Sequence, residues 1–426
     1  MTQDKAAAPA SGNILVVGGG ISGLTTALEA AEVGYEVFIV EKEESLGGRV
    51  AQLNQYFPKL CPPTCGLEIN FRRIRDSRRI HASTMAEVEK VEGHPGDYTV
   101  TVKIHPRYVN ENCTCCRECE KVCEIDIPND FDFAMSRKKG AYLPHEMAFP
   151  ARYVLSPQII GTEDAQRCVG ACAYNAIDLD MEVKTIQLKV GAIVWATGWK
   201  PYDAARIENL GFDRFDNVIT NMMMERLAAP NGPTKGRILR PSDDKEPESI
   251  AFVQCAGSRD ENHLPYCSYI CCMASLKQAT YVRERSPKTK IYIFYIDLRA
   301  PGRRYEQFYR NVKDDENVLF IKGKVADVQE DPATGDLTVV AENAVTGEKI
   351  QQSVSMAVLA TGMQPNTVVR KLPADLQYTE DGFIINDLEK GGMFAAGCAA
   401  KPADVVSSNQ HATGMALKAI QTLVKR

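Results

Sequence analysis

A short apolar run followed by glycines at fixed spacing constrains this chain most. Ile14-Leu15-Val16-Val17 reads as a buried parallel strand, and Gly18-Gly19-Gly20-Ile21-Ser22-Gly23 follows it directly. The spacing G-x-G-x-x-G (Gly18, Gly20, Gly23) lets a backbone turn tightly and approach a pyrophosphate at a helix N-terminus. Residues 24–33 carry helical periodicity, Gly34 stops it, and Val37-Phe38-Ile39-Val40 is a second strand. Glu41 ends that strand 18 residues after Gly23, where an acid binds a ribose hydroxyl. Strand, loop, helix, strand and acid in this order predict a dinucleotide site in an α/β fold.

The rest of the chain points to FAD. Leu46-Gly47-Gly48-Arg49 resembles the G-G-R segment of flavoproteins that contain two dinucleotide-binding domains. Ala196-Thr197-Gly198 and Ala360-Thr361-Gly362 each follow a strand-like run, like the A-T-G turns of those proteins. Residues 392–398 resemble their late flavin segment, with Cys398 after Gly397 where an Asp usually stands. A helix around 410–420 is expected to aim its N-terminal dipole at the isoalloxazine. The expected flavin contacts are Gly18, Gly20, Ser22, Gly23, Glu41, Lys42, Gly48, Arg49, Thr197, Gly198, Thr361, Gly362, Gly397 and Cys398.

Fourteen cysteines accompany a polar, Ala-rich leader with no apolar core, so the thiols are expected to stay reduced and to bind metal. Cys113, Cys116, Cys119 and Cys123 give C-x2-C-x2-C-x3-C, the spacing of half a bacterial ferredoxin. Cys168 and Cys172 keep the C-x3-C ending of a second half, whose other two ligand positions hold Thr162 and Ala165. Because the fourth cysteine of each half serves the other cluster, one complete [4Fe–4S] site is expected from Cys113, Cys116, Cys119 and Cys172, with Cys123 as the local alternative.

A second strand-like run, residues 250–253, should feed another glycine-rich phosphate loop. Only Ala256-Gly257 remains, among Cys255, Cys267, Cys271 and Cys272. Four thiols in an 18-residue window suit an iron–sulfur cluster better than a phosphate. Cys267 and Cys271, four apart, are expected on one face of a helix that continues through residues 273–279. The spacing alone leaves Lys277 open between a solvated helix face and a functional role. The aromatics Tyr305, Phe308 and Tyr309 read as core packing.

Together these residues resemble the A subunit of heterodisulfide reductase. The resemblance is carried by Gly18 to Gly23, Gly47-Gly48-Arg49, the Cys113 insert, Cys255-Ala256-Gly257-Ser258-Arg259-Asp260, Cys267-Ser268-Tyr269-Ile270-Cys271-Cys272-Met273 and Tyr295-Ile296-Asp297-Leu298-Arg299-Ala300. It implies FAD in a thioredoxin-reductase-like fold and a [4Fe–4S] cluster on Cys255, Cys267, Cys271 and Cys272. It also implies that Lys277 approaches flavin N5. Longer members carry a further C-terminal ferredoxin domain, and their flavin-based bifurcation does not simply carry over. The degenerate insert and residues 58–67 look closer to the A subunit of the quinone-interacting membrane-bound oxidoreductase of sulfate reducers. That likeness implies two partners, a membrane haem/quinone subunit with a second flavin/iron–sulfur subunit. It implies electron exchange between menaquinone and adenylylsulfate reductase.

The fold class expected is α/β, two Rossmann-like domains with a ferredoxin-like insert. The tail is placed at 1–12, the flavin domain at 13–105, 183–247 and from 319–426 (with a hairpin), the insert at 106–182, and the second Rossmann-like domain at 248–318. A balance of 50 Lys plus Arg against 55 Asp plus Glu gives −5, which argues against nucleic acid. No apolar stretch approaches the roughly 20 residues of a membrane span. A cytoplasmic chain, attached peripherally to the inner membrane through partners, is expected. The rival expectation is a thiol or disulfide oxidoreductase using Cys61 and Cys65, independent of NAD(P)H.

Overall fold

The computed structural model describes residues 11–424. Most of the tail expected over 1–12 therefore lies outside the described residues. Ser11 itself is tied down, donating its N–H to Gly96 O at 3.0 Å.

Two parallel five-stranded sheets share one layout. In the first, Ile14–Val17 is central, between Ala192–Trp195 on one side and Val37–Val40 on the other. Ile80–Ser83 and Met393–Ala395 complete the edges. In the second, Ser249–Ala256 is central, between Met356–Thr361 and Lys290–Tyr295. Val218–Thr220 and Val318–Lys322 are its edges. The central strands are buried along nearly their whole length, which explains their near-continuous apolar runs. Each sheet is accompanied by a three-stranded antiparallel meander. The first is Ala86–His94, Asp97–Ile104 and Lys184–Val190, with Pro95-Gly96 turning between the first two strands.

This topology shifts two expected boundaries. Val218–Thr220 and the helix Asn221–Ala228 pack with the second sheet, although they fall inside 183–247. Met356–Thr361 also belongs to the second sheet, inside 319–426. Sequence order misleads here because an edge strand of the second domain precedes its central strand.

The insert interrupts the first meander between Ile104 and Lys184. It contains the short helices Glu118–Val122 and Glu163–Ala171 around a small core that includes Cys123, Cys168, Tyr153 and Leu155. Among the described residues, no helix is long and apolar enough to cross a membrane.

Candidate flavin and iron–sulfur sites

A cavity of about 790 Å³ opens at the C-terminal end of Ile14–Val17. Its size falls within the ordinary range for small-molecule and cofactor sites. Gly18 sits at φ +109°, and a Cβ there would stand 2.3 Å from Ala196 O. A Cβ on Gly23 would stand 1.8 Å from Gly18 O, so the helix Ile21–Val33 packs directly on the loop only because Gly23 is bare. These are two of the three uses of glycine that the fingerprint demands.

Ten of the expected flavin residues line this cavity. They are Gly18, Gly20, Ser22, Glu41, Lys42, Gly48, Arg49, Thr197, Gly198 and Cys398. Gly23 shapes the loop from behind. Gly397, at φ +59°, packs against Ser22, whose Oγ a Cβ would meet at 2.1 Å. Thr361 and Gly362 do not line it. They end a strand of the second sheet, where Thr361 Oγ1 donates to Asn221 Oδ1 at 3.1 Å and Gly362 packs against Ser258 and Ser268.

Glu41 is buried, and its carboxylate accepts the Gly19 N–H at 2.5 Å and the Glu43 N–H at 2.9 Å. Burial outweighs those bonds and pushes its pKa up to about 7. The helix expected around 410–420 begins earlier, running Val405–Val424, so its first residue and Ser408 reach the cavity. Asp404 caps it, accepting the Ser407 N–H at 2.7 Å.

Two contributors escape sequence reasoning. The insert walls one side through Asp130, Phe131, Phe133, Lys138 and His145, and residues 366–373 close another. The first lies between the two cysteine motifs of the insert and contains no ligand of either, and the second carries no recognisable pattern. A flavin fits the lining chemistry. Thr197 Oγ1, Trp195 Nε1 and His145 Nδ1 are buried without a hydrogen-bond partner, and all three residues border the cavity. Burial, then the nearby Arg226 charge, holds His145 down to about 4, so its ring is neutral near pH 7.

The second site forms where Ser249–Ala256 ends. The register slips between Val253 and Ala256, and Cys255 adopts φ +57°. A bulge of this kind re-aims side chains at a strand end. Cys255, Cys271 and Cys272 are buried, and Cys267 is partly so. The helix begins at Cys271, so Cys267 lies in the preceding loop and not on the expected helical face. That loop is held by Ser268 Oγ, which accepts the Met363 N–H at 2.8 Å and contacts Ser258 Oγ at 2.7 Å. The four thiols nonetheless converge. Burial, then Cys255, Cys272 and Cys267, pushes the Cys271 thiol well above its ordinary pKa, and Cys255 is pushed up to about 11 by burial and then Cys272. Such a nest resists ionisation unless a cation shares it, which suits an iron cluster. Gln254 beside it is buried with both amide heteroatoms unpartnered, a further group able to face a cluster.

The insert thiols fall into two overlapping groups, joined where Cys168 Sγ lies 3.3 Å from Cys119 O. Cys119 is pushed up to about 12 by burial, followed by Cys168, Cys113 and Cys116. Cys115, which the ferredoxin spacing does not include, stands against Cys113 and Cys116 and is pushed up to about 11, chiefly by burial. Cys172 takes the Ala176 N–H on its sulfur at 3.3 Å. Its turn is drawn to the Cys113 segment, because Asn110 N–H donates to Ala176 O at 2.7 Å. Cys123 and Cys168 instead form a buried pair, with Cys123 Sγ 3.6 Å from Asp164 Oδ2. Among the described residues, no three of these ligands already stand in coordination geometry; what the fold supplies is proximity.

Homology runs the length of the chain. It is 37% identical over 422 residues to the second CoB–CoM heterodisulfide reductase iron-sulfur A subunit of Methanopyrus kandleri, covering 96% of this chain and 64% of that one. The corresponding A subunit of Methanocaldococcus jannaschii is 38% identical over 423 residues, with 94% and 63% covered. The chain belongs to the heterodisulfide reductase A-subunit family.

It spans a little under two thirds of the length of these family members. The NAD(P)-binding Rossmann-like domain family matches residues 16–78. The fold resembles thioredoxin reductase of Lactococcus lactis, at a TM-score of 0.53 and 13% identity, covering 97% of this chain and 99% of that one. For a member of this family, the surprise is Lys277. It neither lines the cavity nor faces solvent. Its Nζ donates to Gln55 O and stands 3.0 Å from Glu225 Oε1, with both side chains almost fully buried. Cys61 and Cys65 also stay outside the cavity, at the start of the helix Pro63–Asp76. Tyr305 and Phe308 pack edge-on to Phe57, as core aromatics do.

Proposed function

We propose that this chain is an oxidoreductase subunit that carries one FAD and two [4Fe–4S] clusters and relays electrons among them. The reading rests on one juxtaposition. Ile270 packs with Met363, Cys398 and Ala403, and it immediately precedes Cys271. Cys398 and Ala403 line the flavin cavity, and Cys271 belongs to the thiol nest. A single apolar layer thus separates the two sites, while the insert walls the cavity on another side.

Gly18, Gly20, Ser22, Glu41, Lys42, Arg49 and Thr197 would hold the dinucleotide. Cys255, Cys267, Cys271 and Cys272 would hold one cluster, and Cys113, Cys116, Cys119 and Cys172 the other. The engagement of Cys123 with Cys168 and Asp164 favours Cys172 as the fourth ligand. A flavin exchanges electrons singly or in pairs and a cluster singly, so their adjacency suits a relay. Where a nucleotide phosphate loop would lie, the second sheet offers buried thiols, which supports partners other than NAD(P)H.

In the finer reading, the chain joins two further subunits, a membrane haem/quinone protein and a second flavin/iron–sulfur subunit. It then exchanges electrons between menaquinone and adenylylsulfate reductase on the cytoplasmic side of the membrane. Residues 58–67 and the degenerate insert support this assignment. Anaerobically purified protein should contain one FAD and about eight irons per chain by ligand count, and NADH alone should not bleach its flavin. Protein that binds no FAD on reconstitution would overturn the proposal.

A further inference from the structure

We propose that Arg259 is a charge-compensating residue of the thiol nest, placed by Asp297 against the Cys255 sulfur. The inference rests on the reading of that nest as a cluster site. Arg259 lies four residues after Cys255, at φ +55°, and its N–H donates to Tyr266 O at 3.0 Å, beside Cys267. Its guanidinium pairs with the Asp297 carboxylate. The Asp297 carbonyl in turn lies 3.7 Å from Cys272 Sγ. Arg259 is therefore fastened to the neighbours of two thiols while its side chain reaches a third. The guanidinium lies within hydrogen-bonding reach of the Cys255 thiol.

Asp297 does not simply cancel this charge. Arg299 Nη2 stands 3.6 Å from its other carboxylate oxygen, so one anion is shared between two guanidinium groups. Among Arg259, Asp297 and Arg299, two cations share one anion. Arg259 is only about a quarter exposed, which limits solvent screening. Four thiolates around a cluster carry more negative charge after reduction than before. A fixed cation therefore favours the reduced form and raises its potential.

The test uses the Cys116→Ser chain, so that only the nest reports, and follows the cluster by electron paramagnetic resonance during a redox titration. Replacing Arg259 by Met or Gln should lower the reduced-to-oxidised ratio at fixed potential about tenfold, equivalent to about 59 mV for one electron. Lys in its place should retain most of the wild-type ratio. If both neutral variants lose the nest iron and the Lys variant keeps it, charge compensation is again supported. Neutral variants that keep their iron and an unchanged potential would overturn the inference. A parent chain with about four irons fewer than the ligand count requires, and no nest signal, would instead overturn the cluster reading beneath it.

Discussion

Arg226 Nε donates to Asp132 Oδ1 at 2.8 Å, with both side chains buried. Arg226 comes from a helix of the second domain and Asp132 from the insert, and Arg226 Nη1 also reaches Gln52 O of the flavin domain at 3.4 Å. The Arg226 guanidinium further covers the Phe131 ring, 4.6 Å from its centroid. One ion pair thus joins three parts of the chain beside the flavin cavity, which Gln52 and Phe131 line.

Removing one member of such a pair leaves the other charged and desolvated, which costs roughly 3–5 kcal/mol. Arg226→Met should therefore lower unfolding stability by about that amount, as measured by urea denaturation. Asp132→Asn should behave similarly. The double variant should lose less than the sum, because neither charge is then orphaned. Additive losses would show that the two residues act independently.

Lys277 and Glu225 form a parallel case one residue away in the chain. Gln278 Nε2 donates to Glu225 Oε1 at 2.7 Å, and Tyr281 OH donates to Glu225 Oε2 at 3.2 Å. Lys277→Met should destabilise by roughly 3–5 kcal/mol, and adding Glu225→Gln should recover part of it. Because the ammonium holds the Gln55 carbonyl, an influence on a bound flavin would run through residues 52–55. The flavin spectrum of Lys277→Met should then change together with its loss of stability. A flavin potential shifted with stability intact would instead place the ammonium against the flavin itself.

Glu41 gives a pH signature in flavin-free protein. Its folded pKa is about 7 against an ordinary 4.5, so the folded state binds its proton more tightly. Its contribution is most favourable below pH 4.5 and is lost as pH rises through 7. At about 1.36 kcal/mol per unit, the full loss is roughly 3 kcal/mol. Stability of the wild type minus that of Glu41→Gln should fall across this window. A flat difference would show that the carboxylate is not desolvated.

The two thiol groups should report separately in iron content. Cys271→Ser and Cys116→Ser should each remove about four irons from the roughly eight that eight thiolate ligands imply. Cys123→Ser should leave the count unchanged, because Cys123 is engaged with Cys168 and Asp164. Loss of the insert cluster in that variant, and its survival in Cys172→Ser, would exchange the two cysteines as fourth ligand.

What the sequence disclosed followed from local rules. The strand, glycine loop and Glu41 occupy their expected places because a pyrophosphate turn tolerates few alternatives over 28 residues. The Cys255 nest was legible from spacing, although Cys267 reaches it from a loop rather than a helix. Long-range relations were not legible. Lys277 has a helical spacing that fits a solvated face, yet its partners Glu225 and Gln55 are 52 and 222 positions away. His145 and Phe131 reach the flavin cavity because the insert folds back over it, and no periodicity encodes that return. The Val218–Thr220 edge strand joined the second sheet through hydrogen bonds to Met356–Thr361, a pairing across more than 130 residues.

The proposed flavin and two clusters would form a relay, and a relay needs an electron donor and an acceptor. The second sheet ends in thiols where a nicotinamide nucleotide would place its phosphates, and no helix among the described residues can span a membrane. In the proposed reading both terminal reactions fall to other subunits, one of them a membrane protein reactive with quinone. A net charge of −5 offers no electrostatic attraction to anionic lipid, so attachment should run through protein. Gentle detergent extraction of native membranes should co-purify this chain with a haem protein and a second flavin and iron–sulfur subunit. High salt should not release it from those partners if the contact is largely apolar. Recovery of the native chain solely as a soluble monomer, with no crosslinked neighbour, would remove the membrane arm of the proposal while leaving its cofactors to be judged by the iron and flavin counts.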